Sequence, residues 1–163
     1  MVSLRCTGRL LKRLRQTPAS ELPQPTNRLG DWYANLLNIG PHRLVLCTSE
    51  RTLLTLIVPI RDSSHLRERI QESAHRLLLS LGVSSGLAQE EVAGMHEMAF
   101  GATANRSVLG SMNDFVQMTK HYFQAERDTV YLDELELFLA ETPCGPLEYN
   151  NPGEKTLGAF GVA

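Results

Sequence analysis

At 163 residues, with 42% apolar and 21% charged side chains, the chain has the size and composition of one globular domain, which excludes bulk disorder. A domain this long buries roughly 70% of the surface its unfolded chain exposes, so no disulfide or structural metal is needed to complete a core. The net charge of −2 says little, but its distribution is polarised. Residues 1–30 carry Arg5, Arg9, Lys12, Arg13, Arg15 and Arg28 against Glu21 alone, whereas residues 126–163 carry eight carboxylates against Arg127 and Lys155. Either the two ends attract each other in the fold, or the basic end is left to meet an anion.

Val2, Leu4 and Cys6 alternate with Ser3, Arg5 and Thr7, the period of a half-buried strand. After Gly8, residues Arg9 to Arg15 put Leu10, Leu11 and Leu14 on one helical stripe, with Arg9, Lys12 and Arg13 opposite. The proline-rich stretch 16–29 reads as a long loop. Trp32 to Ile39, Leu44 to Thr48 and Leu53 to Val58 read as three strands joined by short turns, hence an antiparallel meander. Asp62 to Leu81 carries Leu66, Ile70, Ala74, Leu77, Leu78 and Leu81 at helical spacing, with Asp62 or Ser63 to cap its start and Gly82 its end. A shorter helix follows over Leu87 to Met95, then a strand over Glu97 to Thr103. Ser107 to Glu126 and Tyr131 to Leu139 are the last two helices. The expectation is an α+β domain over residues 1–150, an antiparallel or mixed sheet of about five strands with three to five helices packed on it. Residues 151–163 are expected to be an irregular tail.

Cys6, Cys47 and Cys144 are an odd number with no metal-knuckle or redox spacing, and the first residues lack the apolar core of a secretory signal. Both features imply a reducing, cytoplasmic setting in which all three are free thiols, Cys6 and Cys47 within the core. The longest apolar run, Leu53 to Ile60, is far short of the ~20 residues of a membrane helix, so no membrane association is expected.

Templates for catalysis and metal binding fail. His42, His65, His75, His96 and His121 have no ligand spacing, and no nucleophile elbow, phosphate-binding glycine loop or dinucleotide fingerprint occurs. No metal or cofactor is expected, and whether the chain is an enzyme stays open. The densest polar segment is Asn105-Arg106-Ser107-Val108-Leu109-Gly110-Ser111-Met112-Asn113-Asp114, at the join of a strand and a helix. Free N–H groups at a helix start attract anions, and Arg106 beside them adds a bidentate donor. Ser107, Ser111 and Asp114 line one helical face, and Gly110 inside the helix implies a close approach there. Alternatively Asn105 or Ser107 only caps the helix. If Arg106 is buried it needs an acidic partner, with Asp31, Glu50 and Asp114 available.

Asp31-Trp32-Tyr33-Ala34-Asn35-Leu36 is a second cluster. Its aromatics and Asn35 could stack on and bond a base from an exposed sheet face, or Trp32 fills the core while Asn35 satisfies a neighbouring loop. Arg51 joins the site if the fold brings it near Arg106. Arg5, Arg9, Lys12 and Arg13 form a basic patch expected on one exposed face.

The segments Arg5-Cys6-Thr7 with Leu10-Leu11-Lys12, Asp31 to Leu36, Glu50-Arg51-Thr52-Leu53 and Asn105 to Asp114 together resemble a bacterial family of domains of unknown function, over nearly the whole chain. The resemblance implies no established activity, cofactor or catalytic residue. It does imply an association with plasmid replication-region domains. Two functions remain: a non-catalytic module that contacts nucleic acid or a partner protein, and an enzyme or binding protein for a small phosphorylated molecule that uses Arg106 and the helix start at Ser107. The oligomeric state is not legible.

Overall fold

Alternation puts Val2, Leu4 and Cys6 on one face of the first strand, β1 (Val2–Cys6), and the rest of the sheet grows on both sides of it. The computed structural model describes residues 1–61, 63–126 and 129–162. After β1 come α1 (Gly8–Leu14), β2 (Trp32–Ile39), β3 (His42–Ser49), β4 (Thr55–Pro59), α2 (Leu66–Leu81), α3 (Ser85–Ala93), β5 (Met98–Ala102), α4 (Arg106–Ala125), α5 (Leu132–Ala140) and α6 (Pro152–Ala159). The sheet order is β4-β3-β2-β1-β5. β1 runs parallel to both β2 and β5, while β2, β3 and β4 form the antiparallel meander. The fold is therefore α+β with a mixed sheet.

The β2–β3 hairpin turns on Gly40 and Pro41, with Gly40 at φ +54°. A positive φ at the first turn residue matches the twist of the flanking strands, which explains the glycine. β4 begins at Thr55, not Leu53. Leu53 sits in the turn at φ +59°, donating its N–H to Ser49 O, with its side chain buried. α2 starts at Leu66, after a single 3₁₀ turn over Ser63–His65. The suggested cap Asp62 lies outside the described residues.

The helices cover both faces of the sheet. One core holds Leu4, Trp32, Ala34, Val45, Leu56 and Val58 beneath α1, α2 and α3. The other holds Tyr33, Leu37, Leu46 and Ile57 beneath α4 and α5. Both sheet edges are occupied. The N–H of Ile57 on β4 donates to Glu136 Oε2 of α5, and Phe100 O on β5 accepts from Ala19 N of the long loop. Leu22 of that loop lies where a Cβ on Gly101 would stand, so a larger residue there would have to displace the Leu22 side chain. Covered edges do not offer themselves to another chain's strands.

The C-terminal stretch is not the irregular tail expected. Asn151 accepts the N–H of Glu154, Pro152 takes the first helical position, and the chain closes into α6. Thr156 is fully buried with its hydroxyl against that of Thr52, and Phe160 enters the α1–α3 core.

Candidate functional site

Strand alternation sends Arg5, Tyr33 and Asn35 to the α4 side of the sheet, where segments distant in sequence meet. Asp31, 2% exposed, accepts the N–H of Ser3 at Oδ1 (2.9 Å) and pairs with Arg5 Nε at Oδ2 (3.3 Å). Arg5 Nη1 also donates to Ala102 O at the end of β5 (3.2 Å). Thr7 Oγ1 donates to Asn35 Oδ1 (2.9 Å), and the Tyr33 hydroxyl accepts the N–H of Asn105 (3.0 Å). The loops leaving β1 and β5 diverge here: α1 packs on the Trp32 face, α4 on the Tyr33 face. Such a divergence at the carboxyl ends of neighbouring parallel strands is where open sheets form a crevice.

Asn105 caps α4, its Oδ1 accepting from Ser107 N and Val108 N. The helix thus starts at Arg106. Arg106 and Ser107 are exposed, as are Asn113 and Asp114. The expected acidic partner of Arg106 is absent among the described residues, because Asp31 is already held by Arg5 and an exposed guanidinium is satisfied by water. Ser111 is buried, and with Asp114 it lines a cleft of about 170 Å³ against Thr142, Pro143 and Cys144. Ser107 stays outside that cleft. Gly110 does not mark a close approach: a Cβ there would meet nothing within 4 Å, since the position points to solvent.

Trp32 is fully buried, and the Asn35 amide serves Thr7, so neither forms an open base-stacking face. Arg51 is not brought to Arg106. Its Nη1 donates to Asn27 O (2.7 Å) and its stem lies against Gly30, at φ +74°, so it ties down the loop before β2.

The basic patch divides. Arg9, Lys12 and Arg13 are exposed on α1, and no carboxylate pairs with them among the described residues. Arg5 is not part of this face. Leu4 and Cys6 share the α1 side, so Arg5 must point through the opposite side to Asp31. Neither Glu134 nor Glu136 reaches α1.

Two buried carboxylates were not anticipated. Glu91 of α3 accepts the N–H groups of Arg28 and Leu29 (3.0 and 2.9 Å), which fixes the end of the long loop. Glu136 of α5 accepts from Ser73 Oγ (2.6 Å) and Ile57 N (2.9 Å), both at Oε2. Their signal was a glutamate at the stripe spacing of a helix: Glu91 three positions from Ala88, and Glu136 four from Ala140. Burial pushes the Glu136 carboxyl up to about 7, despite these two bonds and Arg76. Cys6, Cys47 and Cys144 are free thiols. Cys6 and Cys47 flank Ala34 in one row of the sheet, two strand spacings or about 10 Å apart, beyond disulfide reach. Burial pushes Cys6 up to about 12 and Cys47 well up, which leaves both unreactive.

Among the described residues no three His, Cys, Asp or Glu side chains gather as a metal-binding set. Nor is any helix among them long and apolar enough to cross a membrane. No curated protein and no solved structure matches the chain. A family model does match, over residues 3–155, which takes in β1 from Ser3 onward, the Asp31–Asn35 segment and the Asn105–Asp114 helix start together: the chain belongs to the family described as a domain of unknown function, DUF6933.

Proposed function

We propose that this protein is a non-catalytic binding module that takes the phosphate backbone of a nucleic acid on α1. The carrying observation is the state of its cations: Arg9, Lys12 and Arg13 are exposed, and none is paired among the described residues. The fold keeps them so. α1 lies over β1 and β2, while the acidic α5 lies along β4. They pack on opposite faces of the sheet and are offset along it by two to three strand spacings, about 10–14 Å, more than the Debye length of about 8 Å at physiological salt. The polar groups around Asp31 supply no competing charge, since Arg5 and Asp31 satisfy each other. The plasmid-region association implied by the resemblance is in keeping with a nucleic-acid partner.

Titration of a short labelled DNA duplex tests this. Three phosphate contacts imply a log–log salt slope of about −3, and a fall in affinity of some tens-fold between about 50 and 200 mM salt. The variant Arg9→Glu/Lys12→Glu/Arg13→Glu should lose binding at an unchanged melting temperature. Salt-independent binding, or none, would refute the assignment.

A second reading, a small phosphorylated ligand at the start of α4, is favoured by one observation. Arg106, exposed and without an acidic partner among the described residues, stands beside the point where the β1 and β5 loops diverge. Pyrophosphate competition that depends on Arg106 and not on α1 would move the assignment there.

A further inference from the structure

Ser111, Asp114 and Met118 follow one another along one side of α4, and the loop leaving α5 folds back against them. Between the two lies the cleft of about 170 Å³, near the start of α4 and the end of α5. Its far wall is held in place. Thr142 Oγ1 donates to Phe138 O (3.0 Å), Cys144 Sγ to Thr142 O (3.4 Å) and Cys144 N to Asn150 O (3.0 Å). Pro143 and Pro146 fix the backbone on either side of Cys144. Met118 is half-buried and both prolines are exposed, so the sides of the cleft are apolar and still open to water. Two polar groups face this lining. Ser111 is 6% exposed, and its hydroxyl makes no hydrogen bond among the described residues. Asp114 is exposed and has no cationic partner among them. Its charge is felt within the cleft: burial pushes the Cys144 thiol up, and the Asp114 carboxylate adds to the rise. No lysine, arginine or histidine belongs to the lining.

The volume is below the ~300–1,000 Å³ of pockets that enclose a small molecule, and suits a single side chain. A purely apolar side chain would strip water from the Ser111 hydroxyl and the Asp114 carboxylate and return no hydrogen bond. An acidic one would be repelled by Asp114. A long side chain with an apolar stem and a cationic head answers both parts: the stem lies along Met118 and the prolines, and the head reaches Asp114. Of the two such side chains, lysine matches the acceptors. Its ammonium carries three donors, for Asp114 Oδ1, Asp114 Oδ2 and Ser111 Oγ, whereas a guanidinium brings five in a fixed plane. We infer that this cleft takes the side chain of a lysine presented by a basic segment of a partner protein. Glu141, exposed at the end of α5 and likewise without a cationic partner among the described residues, adds charge of the same sign and favours such a segment. The cleft belongs to the Tyr33 side of the sheet and α1 to the Trp32 side, so this site stands or falls independently of the nucleic-acid assignment.

Amide chemical-shift titration of the full chain tests the inference. The probe is a blocked pentapeptide with one lysine between glycines, run beside the same peptide carrying arginine, acetyl-lysine or norleucine in its place. The lysine peptide should shift the amides of Ser111, Asp114, Met118 and Cys144 saturably. The acetyl-lysine and norleucine peptides should bind at least tenfold more weakly, and the arginine peptide more weakly than the lysine one. Asp114→Asn should weaken the lysine peptide at least tenfold and leave the melting temperature within about two degrees, since Asp114 is exposed. The inference is overturned if the lysine peptide gives no saturable shift at the cleft, if acetyl-lysine or arginine binds as well as lysine, or if Asp114→Asn changes nothing. Concentration-dependent shifts at both α1 and the cleft without any peptide, lost in Arg9→Glu/Lys12→Glu/Arg13→Glu, would overturn it in favour of a second copy of this chain.

Discussion

Glu136 sits on the buried side of α5 because its carboxyl occupies a free edge: β4 has no neighbouring strand beyond it, and the N–H of Ile57 would otherwise be unpaired. Desolvation disfavours the charged form. The bonds from Ser73 and Ile57 and the nearby Arg76 favour it, and burial wins, at about 7 against an ordinary 4.5. A carboxyl with a raised pKa holds its proton more tightly in the native state than in the unfolded chain. Its contribution to stability is therefore full below about 4.5, and is lost as pH rises through about 7. The shift is worth roughly 3 kcal/mol at most. Glu136→Gln keeps an acceptor for both donors and cannot ionise. Urea unfolding at pH 5 and pH 8 should show the variant gaining about 2–3 kcal/mol on the wild type at the higher pH. Equal pH dependence in the two proteins would mean that Glu136 titrates normally.

Among the elements, α6 is the one whose existence depends most on what it docks against. Eight residues are too few to be helical alone. Asn151 and Pro152 start it, but Thr156 against Thr52 and Phe160 in the core hold it. Arg28 adds its guanidinium over the Phe160 ring at 5.2 Å. A chain ended at Asn150 should therefore melt about ten degrees lower than the full protein. Removing a buried phenylalanine alone costs about 3–5 kcal/mol, and about 2–4 degrees go with each kcal/mol at this size. A circular-dichroism melt decides it: coincident curves would mean that residues 151–163 are dispensable. The sequence hid α6 because Pro143, Pro146, Pro152, Gly153 and Gly158 read as breakers, although Asn151-Pro152 is a start signal once a docking surface exists. By contrast α2 and α4 were legible, since Leu66, Ile70, Ala74 and Leu77, or Val108, Met112, Phe115 and Thr119, keep helical spacing throughout. The meander was legible from its short turns. The parallel pairing of β1 with β5, Val2 opposite Met98, was not, because no local pattern encodes a partner so far along the chain.

On the scale of the whole molecule, strand order decides what the charge asymmetry means. The cap at Asn105 could be read from residue type, and the inward turn of Arg5 follows from period two. That Asp31 is its partner, and that α1 and α5 lie far apart across the sheet, required the topology. The two helices also pack on opposite faces of the sheet, α1 over the Trp32 face and α5 over the Tyr33 face, so the acidic helix does not stand next to the basic one. With β2 and β3 between them, their attraction is screened, and neither stabilises the fold through the other. The protein should therefore be nearly indifferent to salt. Between about 50 and 500 mM sodium chloride its melting temperature should move by less than about two degrees, because screened surface charges are worth only about 0–1 kcal/mol. The triple reversal Arg9→Glu/Lys12→Glu/Arg13→Glu should melt within the same margin at low salt. Scanning calorimetry of both proteins across that range is the measurement. A wild-type melting temperature that falls steadily with salt, together with a low-salt loss in the reversal variant, would show that the basic helix is spent on the acidic end of its own chain and is not free for a polyanion.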